Sequence, residues 1–296
     1  MLTLFEPIGG LAHLNEHLDR VPRFLFRTYA PRTNGISNDT CMASAAVRNG
    51  LNKADVLRRE PKDAAWMLEN HLLWKDLGND NLTSWTSSLL WCLQHAIRRS
   101  VTDKPRPSLS DIHVCVLSTR KVPRGTFLPA VALLKAFGIP DEGKLKHDYY
   151  RGEYLSQGEM NMTELERPLS GTVTTLQNLI DHGLYELYPP FADEDQQTRL
   201  WLRVNDFRET FKQVPAPPTP IEIDTAYSIA HACFLHTSIR PVVMAALLSL
   251  KPRARLDPTL LETFAVTSWG KQRGQKSTPL RIDNFWDRYS NLCARR

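Results

Sequence analysis

Leu82-Thr83-Ser84-Trp85-Thr86-Ser87-Ser88 is the stretch on which the fold turns. Leu82 to Thr86 is rich in β-branched and aromatic side chains and suits a short strand. The run that follows changes period: Leu89, Cys92, Leu93, Ala96 and Ile97 fall on one helical face. Ser87 or Ser88 supplies a capping oxygen for that helix, and Arg98-Arg99 suit its negative end. Gly78-Asn79-Asp80-Asn81 breaks the chain just before. A strand feeding directly into an amphipathic helix predicts an α+β protein.

Upstream, Asp63 is the expected cap of a helix reaching about Trp74, with Ala64, Met67, Leu68, His71 and Leu72 on one face. Earlier still, Val21-Pro22 opens a strand in which Phe24, Phe26 and Thr28 alternate with Leu25, Arg27 and Tyr29. Pro31 ends it, a polar turn follows through Thr33-Asn34-Gly35, and residues 1–20 read as a leader with one short helix. Downstream, Asp111 to Thr119 is a strand apolar on both faces. Pro129 suits the first turn of a helix that runs to about Phe137 and stops at Gly138, with Pro140 beyond. Tyr149 to Leu155 is a further strand, and Leu176 to His182 a helix closed by Gly183.

After Pro189-Pro190 the composition shifts, and an amphipathic stretch runs through Phe211. Residues 215–220, with four prolines, form a stiff linker, and residues 224–250 and 258–269 read as helices. The expected organisation is a leader (1–20), an α+β domain (21–190) and a helical C-terminal region (191–296).

The chain has 296 residues, 42% of them hydrophobic, which is enough for a buried core. A formal charge of +5 is too mild for a dedicated nucleic-acid binder, and the basic residues are scattered. Lys251 to Arg255 and Lys271 to Lys276 read as solvated surface. The basic and aromatic residues from Trp269 to Arg288 read as a helical cap on the core in preference to a stacking surface. Five scattered cysteines (Cys41, Cys92, Cys115, Cys233 and Cys293) without a C-x-x-C pair suggest reduced thiols and an intracellular site, cytoplasmic or nuclear. Glu6 interrupts the only early apolar stretch, and Val242 to Leu250 is too short to cross a bilayer. The histidines are dispersed, and His231 and His236 are spaced wrongly for one helical face, so no metal site is expected. Phosphate-loop, Gly-x-Gly-x-x-Gly and Gly-x-Ser-x-Gly signatures are all absent.

Polar residues on three of these strands carry the candidate chemistry. Arg27 stands mid-strand, where its guanidinium can fork onto a pyrophosphate or ribose oxygen; the alternative is a strand-edge arginine facing water. Ser84 and Thr86 share one side of their strand, ahead of a helix N-terminus that attracts anions; the alternative is that these hydroxyls only cap the helix. Glu153, in Gly152-Glu153-Tyr154-Leu155, offers a fixed carboxylate of the kind that stabilises an oxocarbenium-like cation. Its alternative is an exposed carboxylate paired with Arg151 or Lys146, and Glu159 competes for the role.

In this order the three segments resemble the arginine–serine–glutamate branch of the ADP-ribosyltransferase superfamily. The chain also resembles a family of uncharacterised fungal domains, through Phe24 to Tyr29, His71 to Trp74, Leu82 to Ser87, Gly152 to Leu155 and Gly183 to Pro189. The superfamily resemblance implies a split, mostly antiparallel sheet with flanking helices. It implies NAD as substrate, with Arg27 on its phosphate or ribose, Ser84 ordering the site with help from Thr86, and Glu153 stabilising the ribosyl cation. Tyr29 or Tyr150 is expected to stack on nicotinamide. The implied activity is mono-ADP-ribosyl transfer to a protein or other acceptor, or NAD hydrolysis; the alternative is an inactive interaction module with the same fold. Two departures bear on this choice. Trp85 replaces the central hydroxyl of a Ser-Thr-Ser motif, and Arg151 stands where arginine-directed transferases carry a glutamate or glutamine.

Overall fold

The structure is a computed structural model that describes residues 2–51, 54–75, 77–162, 171–254 and 257–260. Among the described residues there are nine strands: β1 (Leu2–Thr3), β2 (Phe24–Tyr29), β3 (Ile36–Ser37), β4 (Cys41–Ala43), β5 (Leu82–Thr86), β6 (His113–Ser118), β7 (Leu128–Pro129), β8 (Glu153–Asn161) and β9 (Gly171–Thr175). With helices flanking the strands, the protein is α+β. The chain divides into two compact units. The first comprises Met1–Ser87 and Cys115–Gly171; the second, Ser88–Val114 and the residues from Thr172 onward. This division brings the helix after β5 together with the later helices.

The first unit is organised around β8. Its neighbours run β3-β4-β8-β5-β2-β6. The pairs β5–β8, β2–β5, β3–β4, β4–β8, β1–β8 and β7–β8 are antiparallel. Glu153 to Gln157 pair with β5, and Glu159 to Asn161 pair with β4. The change of partner occurs at Gly158, whose φ of 71° is a left-handed value that a glycine adopts without strain. The observed strand therefore begins at Glu153 and runs to Asn161, beyond the expected end at Leu155; His147–Tyr150 is a short 3-10 turn instead. The opening residues, expected as a leader, pair Leu2 with Gly158 and bury Phe5 in the core of the same unit.

Register sorts the side chains of β5 and β8 between two faces. Leu82, Ser84 and Thr86 stand opposite Gln157, Leu155 and Glu153, so these six side chains share a face. Leu82 and Leu155 pack there with Met67, Leu68 and Leu72 of the helix Pro61–Leu72 and with Leu133 and Leu134 of the helix Ala130–Ala136. The first of these helices opens at Pro61, with Glu60 as its cap residue, and Asp63 lies in its first turn. Proline is favoured there because its missing N–H has no partner to lose, which displaces the expected cap at Asp63. Trp85 belongs to the opposite face. Its indole is buried, donates to Ser156 Oγ at 3.0 Å and meets Phe127 edge-on at 5.7 Å between ring centres.

In the second unit the helix Leu89–Thr102 is capped as expected, with Ser88 Oγ accepting from the Trp91 N–H. The expected linker at 215–220 ends in a capping box: Thr219 Oγ1 accepts from Glu222 N–H, the Glu222 carboxylate accepts from Thr219 N–H, and Pro220 opens the helix Pro220–Cys233. The helix predicted over 224–250 is therefore two, Pro220–Cys233 and Arg240–Leu248. Residues 261–296, which hold most of the predicted helix at 258–269, the basic–aromatic stretch and Cys293, lie outside the described residues. Among the described residues no helix is long and apolar enough to cross a membrane.

Candidate functional site

Ser84 is the point where the candidate residues meet. Its Oγ donates to Glu153 Oε1 at 2.6 Å, and its carbonyl accepts from Arg27 Nη1 at 2.5 Å. Arg27 also reaches Ser37 Oγ at 3.4 Å. Guanidinium, hydroxyl and carboxylate thus come together from β2, β5 and β8, all within the first unit. Thr86 stands directly opposite Glu153 in the β5–β8 ladder. Register explains why Ser84 and Glu153 meet: they lie on one face of adjacent strands, offset by one pair, and a long carboxylate spans that diagonal.

Gly152 explains how Glu153 is aimed. Its φ is +85°, its carbonyl accepts from Ser87 N–H at 2.8 Å and from Ser87 Oγ at 3.2 Å, and a Cβ there would lie 2.8 Å from Ser87 Oγ. Only glycine fits a left-handed turn against so close a neighbour. Arg151, one residue earlier, pairs with Asp148 at 2.7 Å on the exposed surface, so the carboxylate of Glu153 engages Ser84 and not an exposed cation. Glu159 lies six residues along β8 with its carboxylate 4.0 Å from the Cys41 thiol.

Two further residues, neither of them expected there from the sequence, complete the site. His71, in the last turn of the helix Pro61–Leu72, brings Nε2 to 2.8 Å from Ser84 Oγ. Its Nδ1 bonds Asp80 Oδ2, and Asp80 Oδ1 accepts from Leu82 N–H at 2.8 Å at the entry to β5. His71 was expected on the buried face of its helix. The usable signal was that it shares this face with apolar Met67, Leu68 and Leu72, a position where a polar ring must find a partner.

Electrostatics follow from burial in this cluster. Burial pushes the Glu153 carboxyl above the usual carboxylate range, against the opposing effects of the Ser84 hydroxyl, His71 and Arg27. For His71, burial opposes the charged ring, but Asp80 and then Glu153 outweigh it and Arg27, and the net direction is upward. Tyr29 and Tyr150, the expected aromatic platforms, are both buried. Tyr29 is 4% exposed, and burial raises its hydroxyl pKa, with Cys115 and Asp39 adding to the effect. Tyr150 is 9% exposed and donates to the Leu72 and Lys144 carbonyls. Both rings are buried in the structure, at the end of β2 and of the turn His147–Tyr150.

Residues 20–163 match a domain of unknown function (DUF7587). The matched segment contains Arg27, His71, Asp80, Ser84 and Glu153, and its family description assigns no activity. No curated protein and no solved structure matches the chain.

Proposed function

We propose that the first unit binds NAD and cleaves its nicotinamide–ribose bond, transferring ADP-ribose to an acceptor or to water. One observation supports this reading above the rest: the Ser84 hydroxyl joins the Glu153 carboxylate while Arg27 is tied to the same Ser84. Cleavage breaks the C1′–N bond, the electron pair leaves with nicotinamide, and an oxocarbenium-like ribosyl cation remains. A carboxylate fixed by Ser84 bonds the ribose 2′-hydroxyl and stabilises the cation more than the bound ground state. Arg27 supplies a fixed positive charge for the dinucleotide's phosphates.

Trp85 is no obstacle, since its indole packs on the other face of β5. Arg151 argues against an arginine acceptor, because a guanidinium paired with Asp148 can accept neither a proton nor a hydrogen bond from another guanidinium. Water or a different nucleophile is the acceptor this reading favours.

The test is nicotinamide release from NAD by the purified full chain. Glu153→Gln keeps the shape and removes the charge, and should lower kcat by about 10²–10³-fold with the circular dichroism spectrum unchanged. Release that is equal in wild type and variant, or absent from both at high protein concentration, would leave a non-catalytic interaction module as the better account.

A further inference from the structure

Ser84 Oγ carries one proton and has two neighbours in hydrogen-bonding range, His71 Nε2 at 2.8 Å and Glu153 Oε1 at 2.6 Å. Asp80, when ionised, only accepts, so the His71 nitrogen that faces it, Nδ1, carries a proton. The remaining two bonds are then coupled. If Ser84 donates to Glu153, Nε2 must donate to Ser84, and the ring is an imidazolium. If the ring is neutral, Nε2 becomes an acceptor and competes for the Ser84 proton, and Glu153 loses its donor.

The charges around the ring favour the first arrangement. Asp80 faces it directly, Glu153 acts through Ser84, Arg27 from β2 opposes them, and the neutral Tyr150 phenol stands near Glu153. Asp80 and Glu153 bring two negative charges against the single positive charge of Arg27, and an imidazolium restores the balance. A buried carboxylate without that balance would neutralise itself by taking up a proton.

We infer that His71, held by Asp80, is a positioning residue: as an imidazolium it aims the Ser84 proton at Glu153 and keeps that carboxylate ionised and oriented toward the reacting ribose. Loss of the His71 proton lets Ser84 turn away, and the site switches off on the alkaline side. The inference takes its reaction from the NAD-cleaving reading, but the charge state of the chain Asp80–His71–Ser84–Glu153 does not depend on that reading.

The primary experiment is a pH titration of the full chain by NMR with nitrogen-labelled histidine, the His71 signals being assigned from their absence in His71→Gln. His71 should keep imidazolium shifts above the ordinary histidine midpoint of about 6.5. Glu153→Gln and Asp80→Asn should each bring the midpoint back toward that value. A His71 that titrates normally in the wild type, or is unmoved by Glu153→Gln, overturns the inference.

The second readout is the pH dependence of nicotinamide release. The wild type should lose kcat through an alkaline limb at the His71 midpoint. His71→Gln retains an N–H donor and does not titrate, so the alkaline limb should vanish. Loss of the imidazolium charge moves the acid limb of Glu153 to higher pH and lowers kcat at neutral pH less than His71→Ala does. His71→Ala should lose about a hundredfold in kcat. An alkaline limb that persists in His71→Gln overturns the positioning role. A coupled titration in a protein that releases no nicotinamide removes the NAD reading and leaves the charge chain standing.

Discussion

Replacing Gly152 by alanine isolates the device that delivers Glu153 to the site. Two costs can be worked from the geometry. The first is conformational: φ of +85° lies in the left-handed region, where an L side chain costs about 1–2 kcal/mol. The second is local crowding: the new Cβ would stand 2.8 Å from Ser87 Oγ, which now bonds the Gly152 carbonyl at 3.2 Å. Rotating that hydroxyl away relieves the contact at the loss of one hydrogen bond, about 1 kcal/mol. The expected total is about 2–3 kcal/mol, measured by urea denaturation followed by tryptophan fluorescence. A double-mutant cycle with Ser87→Ala separates the parts, because the crowding term disappears once Oγ is gone while the backbone term remains. The coupling energy should therefore be about 1 kcal/mol in favour of the double variant. A Gly152→Ala loss below about 0.5 kcal/mol, or strict additivity with Ser87→Ala, refutes the reasoning.

Other expectations concern residues away from the carboxylate. Glu222, bonded by Lys251 Nζ at 2.6 Å and Arg253 Nη2 at 2.9 Å, has its pKa lowered to about 2, because these bonds and that to Thr219 N–H outweigh its burial. Its folded pKa lies below its unfolded one, so its stabilisation is full above about 4.5 and disappears as the pH falls toward about 2. Allowing for solvent screening at the partly exposed Lys251, this amounts to about 2 kcal/mol; the protection of the helix Pro220–Cys233 against hydrogen exchange, relative to intrinsic rates, should fall as the pH drops over that interval and should not do so in Glu222→Gln. Trp74 holds a φ of 58° just past a helix end, where glycine is favoured, so Trp74→Gly should raise stability by about 1 kcal/mol in thermal melts. Trp85→Phe removes the indole donor to Ser156 Oγ and should cost about 1–3 kcal/mol, with nicotinamide release per folded molecule unchanged. A fall in that specific activity would contradict the assignment of the indole to the far face.

What could be read directly from the chain was local chemistry. The strand Leu82–Thr86 and the Ser88 cap follow from alternation and capping preference, and Gly138 ends its helix with a φ of 65°. The residue types and order of Arg27, Ser84 and Glu153 could be noted in the same way, and the structure brings them together. What could not be read was set by tertiary register. Nothing local in Leu2–Thr3 announces that it pairs with Gly158 and Gln157, and nothing in Tyr149 to Leu155 shows that pairing with β4 carries the strand on to Asn161. His71 reaches Ser84 because the helix Pro61–Leu72 lies over the β5–β8 face; its spacing identifies the buried side of the helix but not the hydroxyl beneath it. The burial of Tyr29 and Tyr150 likewise depends on the fold and not on their local sequence.

The position of β8 bears on how the protein comes to be assembled. Every partner of that strand is remote in the chain or separated from it by intervening helix, so its ladder can close only after long loops have lost their conformational freedom. High contact order of this kind slows folding, and the rung that pairs Glu153 with Thr86 belongs to such a ladder. Local helices need no such closure, so after dilution from denaturant the tryptophan fluorescence of Trp85 on β5 should recover later than helical circular dichroism.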